Sequence, residues 1–204
     1  MKEYNILVFG SLPIATKIVK YINSIPNFNL LGVVIGDENP NDNDPWTDEL
    51  CLGEYARINN IKKLELDELV NLYSRKEIDL GLSCRFSKII RKPIIDLFSK
   101  GIINMHGGLL PEFGGLYSCN YSILFKSKVG GGTLHYVDEG IDTGDIIRRC
   151  EFEIEEIDTG YSVFQKTQLA LYNNMVEIIP LVLNNQIKSI SMKELVDKGY
   201  KHRY

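Results

Sequence analysis

Apolar residues run through Tyr4-Asn5-Ile6-Leu7-Val8-Phe9 and again from Leu30 to Ile35, and the two runs close on Gly10 and Gly36. Short runs of this kind, rich in β-branched and aromatic residues, suit buried strands. Between them Ile14, Ile18 and Ile22 recur every fourth residue, which puts them on one face of a helix. Ser11 stands where it could cap that helix, and Pro13 falls in its first turn, where a missing N–H costs little. The pattern then repeats. A polar loop over 37–48, rich in Asp, Asn and Pro and carrying Trp46, precedes an expected helix over 48–58. A short strand over 61–66, a helix over 67–75, a strand over 78–83, a helix over 92–100 and a buried strand over 101–104 follow. Strands alternating with helices predict an α/β fold with a doubly wound, mostly parallel sheet.

Beyond residue 106 the character changes. Residues 107–115 form a glycine-punctuated loop, a helix is predicted over 117–125, and two strands over 133–138 and 146–154. Val163, Phe164, Thr167, Leu171, Val176 and Ile179 then lay an apolar stripe along a long helix that starts after Asp158-Thr159. Pro180 is expected to kink or end it. One more helical stretch and a basic end, Lys201-His202-Arg203, complete the chain. The pattern divides the sequence into a domain over 1–183 and a short C-terminal extension over 184–204.

Composition narrows the functional classes. A hydrophobic fraction of 44% with 25% charged residues in 204 residues is that of a globular chain able to bury a core. A formal net charge of -4 offers no basic face for a polyanion, which disfavours a nucleic-acid partner. The N-terminus runs straight into a strand-like segment, and no apolar run approaches the ~20 residues of a membrane span. A cytoplasmic location and no membrane partner are expected. Cys51, Cys84, Cys119 and Cys150 are too widely spaced for a zinc knuckle or a redox pair and read as reduced, packed thiols. No metal-ligand cluster is apparent.

Candidate chemistry gathers around two places. Asn104 and His106 are two residues apart at the end of a predicted strand, so their side chains share a face. The carboxyl ends of parallel strands are where open α/β sheets place ligands. Further on, Asp138-Glu139-Gly140-Ile141-Asp142-Thr143-Gly144-Asp145 forms an acidic turn between two strands. Taken singly, each feature has an ordinary structural explanation, since Asp and Gly favour turns. An aspartic-protease reading of Asp-Thr-Gly fails because that chemistry needs two such loops.

Together the motifs are specific. The run Asn104-Met105-His106-Gly107-Gly108-Leu109-Leu110-Pro111, then Gly115, then Gly132-Thr133-Leu134-His135 and Gly140-Ile141-Asp142-Thr143-Gly144-Asp145 resembles the formyltransferases that use 10-formyltetrahydrofolate. The resemblance is strongest over 78–155 and implies the family's Rossmann-like formyltransferase fold, with 1–183 as the catalytic domain. It also implies that Asn104, His106 and Asp142 are the catalytic residues. An amine attacking a formyl carbon generates an oxyanion; Asn104 and His106 can donate hydrogen bonds to it, and Asp142 can orient His106 and take the amine proton. By the same resemblance, Phe86, Ser87, Lys88, Ile89, Val137, Asp138 and Gly140 fall where relatives hold the pteridine ring. His135, on the strand leading into the acidic turn, is a further candidate for the folate contact.

The amine is narrowed by what surrounds this centre. Relatives acting on glycinamide ribonucleotide carry a glycine- and asparagine-rich loop after the first strand, where this chain reads Phe9-Gly10-Ser11-Leu12-Pro13-Ile14. Methionyl-tRNA formyltransferases are longer and carry a basic loop where residues 37–48 are acidic here. The remaining expectation is a small-molecule amine, above all a nucleotide-linked amino sugar of surface-polysaccharide assembly. An aminoacyl group, water in a formyltetrahydrofolate hydrolase, and a non-catalytic folate-binding module are the alternatives. Gly10, Ser11, Trp46, Phe113, Tyr117 and Asn120 are the candidate substrate contacts. Many relatives have Lys or Arg at the positions of Glu112 and Gly114, a departure that bears on any phosphate in the substrate. The sequence leaves the oligomeric state open, and exposed apolar positions in the last helices are compatible with a homodimer.

Overall fold

The first strand, β1 (Tyr4–Gly10), has every side chain but that of Asn5 buried. The computed structural model describes residues 2–38 and 43–201; residues 39–42 of the polar loop and His202-Arg203 of the basic end lie outside the described residues. Residues 1–104 and 105–204 form two compact units.

In the first unit, β1 is followed by α1 (Pro13–Ser24), β2 (Phe28–Ile35), α2 (Leu52–Ile58), α3 (Leu69–Leu72), β3 (Leu80–Cys84), α4 (Lys92–Ile95) and the start of β4 (Ile102–His106). The strand order is β2-β1-β3-β4, and β1 runs parallel to both β2 and β3. Ile14, Ile18 and Ile22 are buried where α1 packs on β1 and β2, as their spacing predicts.

Ser11 does not cap α1. Its hydroxyl accepts from the Gly36 and Asp37 amides at 3.1 and 2.8 Å, fastening the end of β2 to the β1 turn. Leu12 occupies the cap position, and the open N–H of Ile14 is taken at 2.9 Å by Asp44, from thirty residues along the chain. The other Asp44 oxygen receives Arg85 at 2.5 Å, and the Asp44 side chain is fully buried.

Other expectations shorten. The strand expected over 61–66 contracts to a single bridge between Lys63 and Val33. The helix expected over 67–75 is one 3-10 turn, Leu66–Glu68, continued by α3. The helix expected over 92–100 stops at Ile95 because the following residues pair elsewhere: Ser99 and Lys100 donate to the carbonyls of Ile78 and Asp79. Cys84 is buried and Cys51 half-buried, both as free thiols, and burial pushes the Cys84 thiol far up.

The second unit begins inside β4 and adds α5 (Ser118–Leu124), β5 (Val129–Tyr136), β6 (Ile146–Glu153), α6 (Gly160–Leu183) and α7 (Met192–Asp197). Here the order is β4-β5-β6, with β5 and β6 antiparallel. The pairing register shifts between Leu134 and His135 because β6 carries one extra residue, Ile147, between their partners Arg148 and Ile146. β5 starts four residues earlier than the sequence pattern predicts, because Gly130, Gly131 and Gly132 pair with Phe152, Glu151 and Cys150.

Thr159 caps α6 in a reciprocal box with Ser162. Val163, Thr167, Leu171 and Ile179 are buried, whereas Phe164 and Val176 are only half-buried. Pro180 sits inside the last turn, and the helix ends at Leu183. Cys119 is a half-buried free thiol and Cys150 a buried one, pushed up to about 12 by burial. Among the described residues, no helix is long and apolar enough to cross a membrane.

Asp44→Ala would take the side-chain acceptor from the Ile14 amide and the carboxylate from Arg85, which keeps Asn43 at 3.1 Å. Urea denaturation should show a loss of roughly 3 kcal/mol, with Asp44→Asn losing less because its side-chain oxygen can still accept from Ile14.

Candidate active site

β4 places Asn104 and His106 on one face, two residues apart. The strand reaches two residues further than the sequence pattern predicts, so His106 is itself a strand residue. The Ser83 hydroxyl, 4% exposed at the end of β3, donates to Asn104 Oδ1 at 2.8 Å. With Oδ1 committed, the amide presents Nδ2 as its donor. Ser83 is a contributor that the motif did not single out.

The second unit builds a cluster around Asp142, whose φ of 54° puts it in the left-handed region that Asp tolerates better than most residues. Asp138 shapes the preceding turn by accepting from the Gly140 amide at 3.0 Å and the Thr143 hydroxyl at 2.7 Å. Asp142 Oδ2 then faces His106 Nδ1 at 3.3 Å and accepts from the Gly115 amide at 3.1 Å. Oδ1 faces His135 Nε2 at 3.6 Å. Gly115 has φ +78°, a conformation that L side chains rarely adopt, which accounts for glycine there.

Each imidazole is oriented by a backbone carbonyl. His106 Nε2 lies 2.7 Å from the Phe113 carbonyl, and His135 Nδ1 lies 2.8 Å from that of Tyr136. A carbonyl only accepts, so these nitrogens carry the hydrogens and the second nitrogen of each ring turns toward Asp142. A proton arriving at His106 Nδ1 would be donated to the Asp142 carboxylate that faces it.

The loop that supplies the Phe113 carbonyl is itself tied down. Thr133 donates to Gly108 O at 2.7 Å and accepts from Leu110 N at 2.9 Å. A side chain at Gly108 would collide with the Phe113 carbonyl and Ser118. The Leu110-Pro111 bond is cis.

Electrostatics separates the two acids. Burial lowers the His106 pKa, and Asp142 and the Phe113 carbonyl oppose this only in part. Asp142 also loses solvation, which by itself raises its pKa. The hydrogen bond with His135, the charge of His106 and the Gly115 amide outweigh that and hold the carboxyl below its usual range. The two directions together favour an ionised Asp142 beside a neutral His106. The His106–Asp142 separation exceeds the 2.7–2.9 Å typical of a charge-assisted hydrogen bond, so both atoms can turn to a substrate group.

The remaining candidates divide. His135, considered above for folate, is 3% exposed and committed to Asp142. Val137 is half-buried, while Asp138 and Gly140 are exposed on the turn. In the first unit Phe86 packs edge-on to Phe9 at 5.4 Å, and Ser87, Lys88 and Ile89 are exposed. Gly10 is packed against Ala15 and Cys84, Ser11 is buried, and Trp46 lies under the Lys17 ammonium at 5.4 Å. The Phe113 ring is buried and its carbonyl is the functional group, whereas Tyr117 and Asn120 are exposed. The carbonyl of Phe113 and the amide of Gly115 have no residue-type signature; only the invitation of a glycine-rich loop next to His106 pointed at them.

The fold agrees with comparisons to known proteins. The model of the formyl transferase family matches residues 49–179, and the chain belongs to that family. It is 34% identical over 133 residues to the methionyl-tRNA formyltransferase of Bacillus velezensis, covering 65% of this chain and 42% of that protein. It is 29% identical over 147 residues to the bifunctional polymyxin resistance protein ArnA of Wigglesworthia glossinidia brevipalpis, covering 72% of this chain and 22% of that one. The chain thus spans less than half the length of these relatives. Among solved structures, WlaRD, a sugar 3N-formyl transferase crystallised with dTDP and 5-N-formyl-THF, superposes on all of the chain with TM-score 0.78 at 25% identity, over 71% of its own length. The N-formyltransferase of Helicobacter canadensis, in complex with folinic acid and dTDP-3-aminofucose, also covers the whole chain and 71% of its own, with TM-score 0.75 at 28% identity.

Because the His106 pKa is lower in the folded protein than in the unfolded chain, the unfolded chain binds the proton more readily on acidification. That increment of stability is complete above about 6.5, the ordinary value, and is lost as pH falls through it. Denaturation midpoints between pH 8 and pH 5 should show the fall, and His106→Asn should flatten it.

Proposed function

We propose that the protein is an N-formyltransferase that moves a formyl group from 10-formyltetrahydrofolate to the amine of a nucleotide-linked amino sugar. The observation that carries the reading is the Asp142 cluster, an ionised carboxylate directed at an imidazole that shares a strand face with Asn104. When bound, the folate supplies an acyl group already activated for transfer. The donor set suits it, because formyl transfer needs hydrogen-bond donors for an oxyanion and a base for an amine, and asks for neither a metal nor a redox group.

On this reading Asn104 Nδ2 donates to the formyl oxygen as negative charge gathers there. Asp142 accepts the proton shed by the attacking amine, directly or through one water. His106 relays a proton through Nδ1, the nitrogen facing Asp142, and donates to the oxyanion while protonated. The cluster returns the proton to the departing folate nitrogen, which leaves Asp142 ionised and His106 neutral for the next cycle.

The amino-sugar assignment is supported by the whole-chain similarity to WlaRD and to the Helicobacter canadensis enzyme, whose bound molecule is dTDP-3-aminofucose. Formylation of an aminoacyl group is the second reading, favoured by the 34% identity to a methionyl-tRNA formyltransferase. The acidic loop over 37–48 opposes it where the acceptor is a tRNA.

The purified protein, given 10-formyltetrahydrofolate and a panel of nucleotide-linked amino sugars, should form the N-formyl sugar while folate absorbance changes in step. A blank panel beside turnover of methionyl-tRNA would sink the sugar assignment. Asn104→Ala, His106→Ala and Asp142→Ala should each cut turnover, on the order of 100- to 1000-fold for the loss of one oxyanion donor, with folate affinity largely kept. Near-normal turnover in His106→Ala would mean the centre lies elsewhere.

A further inference from the structure

Arg149, on β6, reaches the loop that shapes the His106 site. Its Nη1 donates to the Leu110 carbonyl at 2.5 Å, and Nη1 and Nη2 grip the Glu112 carboxylate at 2.6 and 3.0 Å. Nε donates to Glu151 at 2.8 Å, and the Tyr200 ring covers the guanidinium with its centroid 4.7 Å from Cζ. The side chains of Arg149 and Glu112 are only 14% and 13% exposed. From its other side the same loop is held by Leu110, packed in a buried cluster with Ile146 and Leu195, with Met192 against it. Both ends of this grip therefore involve residues near the C-terminus.

Packing alone does not set the loop beyond Leu110. A cavity of about 300 Å³ lies against Leu109, Glu112, Phe113, Arg149 and Tyr200, so part of the loop borders open space instead of close-packed side chains. A buried ion pair is a poor source of stability compared with apolar packing, because desolvation offsets most of its attraction. What a forked guanidinium supplies is direction, with two donors at fixed angles to a carboxylate. Three residues beyond Leu110 comes the carbonyl that meets His106, and five residues beyond it the amide that meets Asp142.

We propose that Arg149 is a positioning residue for formyl transfer: with Glu112 and Tyr200 it holds the 110–115 loop in the place from which the Phe113 carbonyl fixes His106. The proposal rests on the reading of His106 as part of the transfer centre. It also gives Glu112 a purpose.

The test compares wild type, Arg149→Met, Arg149→Lys and Glu112→Gln by two readouts. Imidazole NMR follows the His106 Nε2–H resonance and its titration, and steady-state kinetics separates kcat from KM for 10-formyltetrahydrofolate. Loss of the grip should cut kcat on the order of 100-fold, the scale of a misplacement of about 1 Å, while KM changes little. The Nε2–H signal should shift toward that of a solvent-exchanging imidazole in Arg149→Met, with Arg149→Lys recovering part of both effects because it keeps the charge and one donor. Wild-type His106 signals and kcat in folded Arg149→Met overturn the proposal. If Arg149→Met does not fold, unchanged signals and kcat in both Arg149→Lys and Glu112→Gln overturn it. Should wild type formylate no amine, the functional reading falls on that result alone, and the His106 titration still decides whether Arg149 positions the ring.

Discussion

A half-buried carboxylate needs partners, and Asp142 has the Gly115 amide as a donor and faces two imidazoles, each held at its far nitrogen by a backbone carbonyl. The Phe113 and Tyr136 carbonyls pin the far nitrogen of each ring, so both near nitrogens converge on the same acid. Much of the second unit follows from that convergence. The left-handed turn at Asp142 swings its carboxylate back, and the loop from Gly107 to Gly115 is bonded to Thr133 so that its carbonyl and amide fall in place. The pKa directions follow as well, since burial drives His106 down while the donors around Asp142 overcome its own desolvation.

Membership of the formyl transferase family rests on residues 49–179, which include β3, β4, the Gly107–Gly115 loop, β5 and β6. The first unit's opening strands lie outside that match, yet the solved sugar N-formyl transferases superpose on the whole chain. Fold is thus retained over a stretch where sequence similarity has faded, because the β1-α1-β2 segment is specified by a coarse alternation of buried strand and one-sided helix that many residues satisfy.

Strands β1 to β3 and helices α1 and α6 were legible because each is an apolar run or stripe whose period leaves one solution. The weaker elements were not, and the reasons are local. Residues 96–100 carry the apolar content of a helix, yet Ser99 and Lys100 are claimed by carbonyls on the approach to β3. Asn104, His106 and Asp142 could be read because their chemistry is in their side chains. Ser83, the Phe113 carbonyl and the Gly115 amide could not, since a backbone group carries no sequence signature and a serine at a strand end is common. The role of Ser11 was misassigned for the same kind of reason: its proximity to α1 suggested a cap, while its hydroxyl had a nearer use on β2.

The cap that α1 does have comes from Asp44, thirty residues downstream of the amide it accepts. A helix emerging first from a ribosome is ordinarily complete on its own; this one has its N-terminal amide answered only after β2 and the polar loop have been made. Closing a loop of that length carries an entropic cost that grows only slowly with its size, but the closure couples the docking of the loop to the end of the helix. The polar loop is in this sense part of the folding unit of the first half of the chain, and insertions or deletions between Ile35 and Asp44 act on a buried carboxylate at the helix end.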